Sequence, residues 1–274
     1  MDSISEKITS VFDRVADGYD KESLRLFPFC ADRLLNHLRP APGSRICDVG
    51  AGTGVVSVAV AQEVGASGRV HAVDLSDGML RRLQRNARLL GLTNIDLHEM
   101  SGQKLEFKSN YFDALVSSFV LHFIPDMEAA LKSWVRVVRP GGRVLFTAFA
   151  EGAFEPLFDR FAKDLVSHGG RLPEAGPAVN QKRLDSAEKC RAVLEGAGLG
   201  EVEVAEEQIG YHLATAEDWW ELVTNSGFRA LLDTLPEDAY ERFRADHLAA
   251  MDELRTEEGL WLHLPILIAY GTKP

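Results

Sequence analysis

Three alternating glycines, Gly50, Gly52 and Gly54, follow a short apolar run that contains Asp48. Residues without a Cβ let the backbone turn tightly and approach a ligand closely. An acidic residue, Asp74, stands 24 positions after Gly50, at the end of a second apolar run. From that position a carboxylate can accept two hydrogen bonds from a ribose diol. The pattern therefore predicts a nucleoside-containing cofactor held at a strand–turn–helix junction.

Two classes of cofactor compete for such a turn. A dinucleotide site spaces its glycines GxGxxG, so that the helix N-terminus faces the pyrophosphate. In this chain Val55 occupies the sixth position instead of Gly or Ala, and Asp48 lies two residues before the first glycine. A carboxylate there would repel a pyrophosphate but suits a cationic amino group. The residues favour a cationic nucleoside cofactor, and a nicotinamide-dependent dehydrogenase stands as an alternative.

Short apolar runs that alternate with amphipathic helical segments position this turn. Helices between consecutive strands imply right-handed βαβ crossovers and hence a parallel sheet. Strands that are apolar along their whole length fit a sheet covered on both faces. The expected class is therefore α/β. The predicted strands of this region span residues 45–49, 69–74, 94–100, 112–119 and 143–149.

The ends of two helices in this region can be predicted from capping residues. Ser76 is a predicted N-cap, and Gly91 is the predicted stop of the same helix. A later helix is predicted to begin at Asp126 and to end at Pro140-Gly141-Gly142, with Val138 on its buried face.

After residue 149 the pattern is less regular. Asp185 and Glu188 have the spacing of a capping box, as do Thr215 and Asp218. Residues 201–209 alternate like a strand. A long helix is predicted to open at Pro236, and a last strand is predicted over residues 260–271.

Residues 46–54, read as ICDVGAGTG, resemble the first motif of the class I S-adenosylmethionine (SAM)-dependent methyltransferases. Residues 73–80 resemble the second-strand segment of that family. Residues 112–149 resemble its fourth strand, the next helix, an Arg-Pro-Gly-Gly turn and the fifth strand. Residues 11–20, VFDRVADGYD, are similar to the N-terminal signature of the small-molecule branch that includes the ubiquinone and menaquinone methyltransferases.

The resemblance implies a doubly wound, Rossmann-like sheet of seven strands, with the last strand antiparallel, and a helical lid. It also implies a division of the chain into segments. These are an N-terminal helical lid segment (1–43), the SAM-binding core (44–149), a lid insertion (150–184), a core helix and strand (185–210), a helical lid insertion (211–257) and the final core strand (258–274).

The resemblance assigns roles to several residues of the cofactor site. Asp74 would bind the ribose, Leu75 and Met79 would lie beside the adenine, and Tyr19 would close over the methionine end. The family usually has an acid at the position of Ser101, so the contact with the adenine amino group should be weaker by about 1 kcal/mol. No metal site is expected. The predicted cofactor contacts are Tyr19, Asp48, Gly50, Ala51, Gly52, Asp74, Leu75, Met79, Ser101, Gly102, Gln103, Ser118 and Phe119.

Methyl transfer requires alignment of the acceptor atom with the methyl group, and a base only where the acceptor holds its proton firmly. His122 lies four residues beyond Ser118, near the carboxyl edge of the predicted sheet, and is the candidate base. The alternatives for His122 are a structural role at a helix start and a contact with the substrate. Four lid aromatics either line an apolar substrate pocket or form the core of the lid. They are Trp219, Trp220, Phe228 and Trp261.

The composition limits the class of protein. The chain has 274 residues, with 30 basic against 41 acidic side chains and a net charge of −11, which argues against nucleic acid as a partner. No window reaches the roughly 18 apolar residues of a membrane span. The charged N-terminus is unlike a secretory signal, so a cytoplasmic location is expected. Three widely separated cysteines indicate neither a disulfide framework nor a zinc site.

These observations together predict a SAM-dependent methyltransferase that acts on a small, apolar or aromatic metabolite as a monomer or homodimer. O-methylation is favoured over C- or N-methylation. One alternative is a SAM-binding protein of the same fold that catalyses a non-methylating reaction or only binds. The dehydrogenase is the other.

Overall fold

The computed structural model describes residues 3–174 and 177–274. Within these two ranges, nine strands form a large central sheet and a small second sheet. The strands are β1 (Arg45–Val49), β2 (Arg69–Asp74), β3 (Ile95–Glu99), β4 (Phe112–Ser118), β5 (Val138–Phe149), β6 (Gly200–Gln208), β7 (Tyr211–Leu213), β8 (Leu260–Leu262) and β9 (Pro265–Thr272).

The central sheet has seven strands in the order β3-β2-β1-β4-β5-β9-β6. β1 pairs in parallel with β2 and β4, and the outer pairs β2–β3 and β4–β5 are also parallel. β9 is antiparallel to both of its neighbours, β5 and β6. The predicted α/β fold with an antiparallel last strand is confirmed. The strand order reverses between β1 and β4, which is where open sheets of this kind bind ligands.

Helices cover both faces of this sheet, as its apolar strands predict. The longer helices are α1 (Ser3–Val15), α2 (Leu26–Leu38), α3 (Val55–Val64), α4 (Asp77–Leu89), α5 (Met127–Val137), α6 (Leu157–Ser167), α8 (Ala187–Gly196), α9 (Ala216–Thr224) and α11 (Tyr240–Asp252), and the short ones are α7 (Pro177–Gln181) and α10 (Arg229–Leu232). One buried cluster joins Leu34 of α2 and Val60 of α3 to the strands. A second cluster joins Trp134 of α5 and Leu194 of α8 to them.

A further buried cluster, rich in aromatic residues, joins the remaining helices to Ile266 and Ile268 of β9. It contains Phe161 of α6, Trp219 of α9 and Phe243 of α11, and it includes both strands of the small β7–β8 sheet. We call α6, α9, α10, α11, β7 and β8 the lid. Residues 3–27, which lead from α1 to the start of α2, form a separate N-terminal cover. The division into six segments stays a prediction, and two of those segments, 1–43 and 150–184, include residues outside the described part.

The predicted last strand, residues 260–271, is wrong as a single element. It divides into β8 in the lid and β9 in the central sheet. The reason is that the two halves pair with different partners, since Trp261 faces His212 of β7 whereas Ile266 faces Phe149 of β5. The Oε1 atom of Gln208 accepts a hydrogen bond from Leu264 N at 2.9 Å, at the point where the chain changes sheets.

The predicted helix starts are mostly confirmed. The Ser76 hydroxyl accepts a hydrogen bond from Met79 N at 3.0 Å, and Asp126 caps α5 in the same way. The capping box of Thr215 and Asp218 is also present. Pro236 opens a short 3₁₀ turn, and the long helix α11 begins only at Tyr240.

Two boundaries differ from the prediction. α5 ends at Val137, not at Pro140, because Val138 already pairs with Phe112 of β4 and the Pro-Gly-Gly sequence lies within β5. The pairing register shifts at this point, and irregular strand positions tolerate proline. The N-cap of α8 is Ser186 rather than Asp185, whose carboxylate instead binds Lys189 Nζ at 2.6 Å.

None of the helices in residues 3–174 and 177–274 combines the length and apolar character that a bilayer crossing requires.

Candidate cofactor and acceptor site

A cavity of about 1100 Å³, its open mouth included, lies at the carboxyl ends of the central strands. Its floor is the turn after β1 together with the ends of β2 and β4. The N-terminal cover supplies Phe12, Tyr19 and Phe27 to the opposite wall. The cavity therefore lies at the reversal of strand order and beneath the N-terminal cover.

The three glycines of the turn differ in what an added Cβ would contact. All have positive φ, at +71° for Gly50, +55° for Gly52 and +95° for Gly54. A Cβ on Gly50 would come within 2.2 Å of Val120, and one on Gly54 within 2.4 Å of Leu83. A Cβ on Gly52 would meet no atom within 4 Å. Gly50 and Gly54 are thus required by packing, whereas Gly52 leaves space that a ligand can use.

Asp74 is held in place by the backbone of this turn. One carboxylate oxygen accepts a hydrogen bond from Gly52 N at 2.8 Å, and the other accepts one from Ser76 N at 2.9 Å. Each carboxylate oxygen has a further lone pair, so the group can still accept two hydrogen bonds from a diol. Burial raises the pKa of Asp74 above its usual value. A diol can therefore bind a carboxylate that is already oriented.

Asp48 is only 1% exposed and accepts a hydrogen bond from the Ser57 hydroxyl at 2.6 Å. Burial raises the pKa of Asp48 to about 7, and the nearby charge of Asp74 adds to this effect. Within the described part of the chain, neither Lys nor Arg lines the cavity. Two carboxylates without a basic partner suit a cationic ligand such as SAM and would repel a pyrophosphate.

The loop after β3 forms another part of the wall, with Met100, Ser101, Gly102 and Gln103. Trp134 Nε1 donates a hydrogen bond to the carbonyl of Gly102 at 2.7 Å, which holds the loop against α5. The Ser101 hydroxyl accepts a hydrogen bond from Gln103 N at 3.2 Å. A loop held in this way can lie against the flat face of a base.

Aromatic rings form much of the remaining wall. Tyr19 stacks on Phe27 with a ring separation of 4.6 Å, and Phe12 meets Phe123 edge-on at 5.3 Å. Burial raises the pKa of Tyr19, so its hydroxyl keeps its proton. Phe119 has a φ of +54°, a conformation that non-glycine residues rarely adopt. Its ring stacks on Phe149 at 4.1 Å, which supports that conformation.

The N-terminal cover is fastened to both α4 and the lid. Asp13 accepts hydrogen bonds from the Ser76 hydroxyl at 2.6 Å and from Gly78 N at 3.0 Å. On the other side, Glu221 of α9 accepts from Lys21 Nζ at 2.6 Å and from the Ser23 hydroxyl at 2.8 Å. Sequence reasoning missed these anchors. The signature that led to Tyr19 also contains Asp13, and this was the available signal.

All of the predicted cofactor contacts lie in the wall of this one cavity. The structure thus brings together Tyr19 from the N-terminal cover, Asp48 from β1, Asp74 from β2 and Ser118 from β4. Their contacts with a bound cofactor stay predictions. Wall residues that sequence reasoning did not select include Thr9, Phe12, Phe27, Met100 and Phe123.

His122 is placed differently. It is 8% exposed and is not among the described residues of the cavity wall. Burial lowers its pKa to about 4, and its Nδ1 atom has no hydrogen-bond partner within the described chain. Its ring lies against that of Phe123, with 4.2 Å between the centroids. The role of His122 as a base stays a prediction, and the geometry gives it no contact with the cavity.

The four lid aromatics are also absent from the described wall. Trp219, Trp220 and Phe228 pack in the lid cluster, whereas Trp261 is 41% exposed and lies beside His212. These positions agree with the lid-core alternative for the first three.

Comparisons with known proteins give the family. Residues 1–210 match the model of the ubiE/COQ5 methyltransferase family. The chain is 31% identical over 207 residues to aklanonic acid methyltransferase DauC of Streptomyces sp. (strain C5), covering 72% of this chain and 93% of the relative. It is 30% identical over 213 residues to the ubiquinone/menaquinone biosynthesis C-methyltransferase UbiE of Cronobacter sakazakii (strain ATCC BAA-894), covering 72% and 84%. It is 27% identical over 239 residues to nocamycin O-methyltransferase of Saccharothrix syringae, covering 83% and 85%.

Solved structures share the fold at lower sequence identity. A putative methyltransferase from an antibiotic biosynthesis pathway of Anabaena variabilis ATCC 29413 superposes with a TM-score of 0.61 at 19% identity, covering 89% of this chain and 96% of that one. The [4+2]-cyclase SpnF superposes with a TM-score of 0.57 at 19% identity, covering 90% and 81%.

The family match decides against the dehydrogenase alternative. The small-molecule branch expected from residues 11–20 is confirmed, as is the SAM cofactor. The chain belongs to the ubiE/COQ5 methyltransferase family and is a SAM-dependent methyltransferase.

Proposed function

We propose that this enzyme transfers the methyl group of SAM to an oxygen atom of a small, apolar or aromatic metabolite. The observation that carries the proposal is the composition of the cavity wall. Five aromatic side chains, Phe12, Tyr19, Phe27, Phe119 and Phe123, share one cavity with the two carboxylates that suit SAM. Aromatic walls bind flat apolar molecules through buried area and ring–ring contacts.

The carboxylates would hold the cofactor at its two polar ends. Asp74 would bind the ribose hydroxyls, and Asp48 would pair with the ammonium of the methionine part. Leu75 and Met79 would lie against the adenine. Bound SAM supplies an electrophilic methyl group on a sulfonium, and the protein contributes mainly by aligning the acceptor with it. Such alignment can contribute about 7–11 kcal/mol.

The ionisable groups in the described wall favour an acceptor that loses its proton easily. They are Asp48, Asp74 and Tyr19. The two aspartates have cofactor roles in this proposal, and Tyr19 keeps its proton because burial raises its pKa. A carboxylate, a phenol of low pKa or an enolised carbonyl needs no strong base.

The relatives support this acceptor class without deciding it. One relative is named for an acid substrate, aklanonic acid, and another is named for O-methylation, the nocamycin enzyme. The UbiE relatives are named C-methyltransferases, so methylation at a ring carbon is the second candidate. We also retain as predictions a cytoplasmic location, a monomer or homodimer, and a substrate other than nucleic acid.

The test is a panel of acceptors incubated with the enzyme and SAM. 2-Naphthoic acid, 2-naphthol and 2-methylnaphthalene share one ring system and differ in the acceptor group. We expect release of S-adenosylhomocysteine (SAH) with the acid or the phenol and none with the hydrocarbon. Mass spectrometry should then show one added CH₂. Alkaline hydrolysis should remove it from a methyl ester of the acid, and loss of the acidic hydroxyl should distinguish a methyl ether of the phenol from a C-methyl product. Turnover restricted to aliphatic amines or to RNA would contradict the proposal.

A further inference from the structure

A serine hydroxyl lies within the aromatic part of the cavity wall. Ser118 is the last residue of β4, and its side chain lines the cavity next to Phe119. The Phe119 ring contacts that of Phe27 at 6.2 Å, so the hydroxyl lies beside a pair of rings from two different elements. Its position at the carboxyl end of a central strand makes it rigid.

Two buried side chains lie behind Ser118. Its Oγ is 3.2 Å from Oγ1 of Thr147, a residue of β5 that is 1% exposed. Thr147 Oγ1 also accepts a hydrogen bond from Phe119 N at 3.1 Å. Cys30 Sγ is 3.8 Å from Ser118 Oγ. The hydroxyl of Ser118 therefore has one oxygen partner and one sulfur neighbour in the protein.

The direction of the protons follows from these partners. Thr147 Oγ1 already accepts from Phe119 N, and its single proton can go to Ser118 Oγ or to the sulfur of Cys30, which also contacts Thr147. An oxygen is the stronger acceptor of the two, so we assign the proton of Thr147 to Ser118 Oγ. Burial raises the pKa of Cys30 to about 12, so its sulfur stays a thiol and is a weak acceptor. When Thr147 donates to Ser118, the proton of Ser118 has no strong acceptor in the protein. That proton is then available to a ligand in the cavity.

We propose that Ser118 is a positioning residue for the methyl acceptor: its hydroxyl, oriented by Thr147, donates a hydrogen bond to an oxygen atom of the acceptor. This inference rests on the proposed function, because it requires an acceptor that carries an oxygen beside an apolar ring system. It differs from the role predicted from the family resemblance, which places Ser118 among the cofactor contacts.

The experiment compares two probes in the presence of saturating SAH, by fluorescence titration of the naphthalene ring. 2-Naphthoate carries the oxygen atoms, and 2-methylnaphthalene does not. A hydrogen bond to a charged group contributes a factor of about 10–100 in affinity. We therefore expect Ser118→Ala to weaken 2-naphthoate at least about tenfold and to leave 2-methylnaphthalene unchanged within measurement error.

Matched variants separate positioning from packing. Ser118→Thr and Thr147→Ser each keep a hydroxyl at both positions, so both variants should retain most of the wild-type affinity for 2-naphthoate. Thr147→Val should lower the 2-naphthoate affinity by less than Ser118→Ala does, because this substitution removes only the partner that orients the Ser118 hydroxyl. Ser117→Ala removes a neighbouring hydroxyl that donates to Val49 O at 2.9 Å, and it should leave the preference between the probes unchanged.

The outcomes distinguish this inference from the proposed function. If both probes bind but Ser118→Ala weakens them equally, or weakens neither, the positioning role is wrong while the aromatic acceptor site stands. If SAH affinity falls together with 2-naphthoate affinity, Ser118 is a cofactor contact and the inference is overturned. If neither naphthalene binds the wild type, the aromatic acceptor proposed above fails, and this inference fails with it.

Discussion

The cavity floor and the lid differ in whether their buried polar side chains find all of their hydrogen-bond partners within the protein. On the floor, the carboxylates of Asp48 and Asp74 accept hydrogen bonds from the protein but can accept more. No basic residue of the described wall pairs with them. In the lid, His247 is fully buried between Trp219 Nε1 at 2.9 Å and Asp164 at 2.8 Å. Because the indole N–H only donates, Nε2 of His247 accepts and Nδ1 donates to Asp164. The floor is prepared for a ligand, whereas the lid is complete without one.

A chain of aromatic contacts connects the two regions. Phe119 of the wall stacks on Phe149, which meets Phe154 at 4.8 Å, and Phe154 meets Phe228 of the lid at 5.0 Å. No residue of 211–257 is in the described wall of the cavity. We therefore expect changes on the floor to act on SAM affinity and changes in the lid to act on turnover. The following tests are ordered by the expected effect on SAM affinity.

Gly52→Val should abolish SAM binding, because the new side chain would fill the space beside the turn. The φ of +55° adds strain of about 1–3 kcal/mol to the folded state. Gly91→Val is a matched control, since Gly91 has a φ of +68° and equally open surroundings but lies at the exposed end of α4. Calorimetry should show normal SAM affinity for the control. SAM binding by a folded Gly52→Val protein would contradict the position of the ligand.

Asp74→Ala should weaken SAM by about 1.5–3 kcal/mol, the range for hydrogen bonds to a charged acceptor. Asp77→Ala removes a nearby exposed carboxylate that pairs with Arg81, and it should bind SAM normally. Titration calorimetry at one pH compares the variants directly. Unchanged affinity in folded Asp74→Ala would remove Asp74 from the cofactor site.

The pH dependence of SAM affinity should report on Asp48. Burial raises the pKa of this carboxyl to about 7 in the free enzyme, so at pH 5.5 it is mostly protonated and cannot pair with an ammonium. SAM affinity should therefore rise roughly tenfold between pH 5.5 and pH 7. Asp48→Asn should bind weakly and lose this dependence. A wild-type affinity that is flat over this range would mean that Asp48 does not contact the ammonium.

Asp48 should also make the folding stability depend on pH: stability should fall as the pH rises, whereas SAM affinity rises. Between about pH 4 and pH 7 the unfolded chain has ionised Asp48 while the folded protein keeps it protonated, so its contribution to stability is lost as the pH rises. Urea unfolding of the wild type and of Asp48→Asn over this range measures the difference.

Loosening the lid should leave SAM affinity within about threefold and reduce turnover. His247→Ala would leave the buried Trp219 N–H without its acceptor, at a cost of about 1–3 kcal/mol in stability, whereas Asp164 would keep its ion pair with Arg160. Val166→Ala, at an exposed position of α6, is the control within the lid. SAH release with an active acceptor gives the rate, and calorimetry gives the affinity. A collapse of SAM affinity in a folded variant would assign the lid to the cofactor site.

His122→Ala should change SAM affinity least and keep the rate within about threefold, because His122 is not among the described residues of the cavity wall. Burial lowers the pKa of His122 to about 4, so its contribution to stability is lost as the pH falls from about 6.5 to about 4. Rates of SAH release between pH 6 and 9, together with acid unfolding, test this. A rate reduced by about 10²–10⁴ with loss of a pH limb would establish His122 as the base.

Much of the floor could be predicted because its determinants are close together in the sequence. The glycine turn, Asp48 and Asp74 lie within 27 consecutive residues, and local rules for turns, caps and strand ends place them. The strand count and the antiparallel last strand came from the family resemblance rather than from periodicity. The helix end at Val137 was missed because Pro-Gly-Gly ends helices in isolation, and only the pairing of Val138 with Phe112 shows that β5 has already begun.

The sequence by itself thus determined the cofactor turn, the parallel core and the residues that line one wall of the cavity. Only the tertiary structure decided which side chains complete that cavity. Phe27 joins Phe119 and Ser118 joins Thr147 although about 90 and about 30 residues separate them, and no local pattern encodes such contacts. It also decided that His122 packs against Phe123 outside the described cavity wall, because the position of a residue after a strand does not fix the direction of its side chain. Local backbone preferences act over a few residues, whereas the packing of distant segments depends on the whole chain.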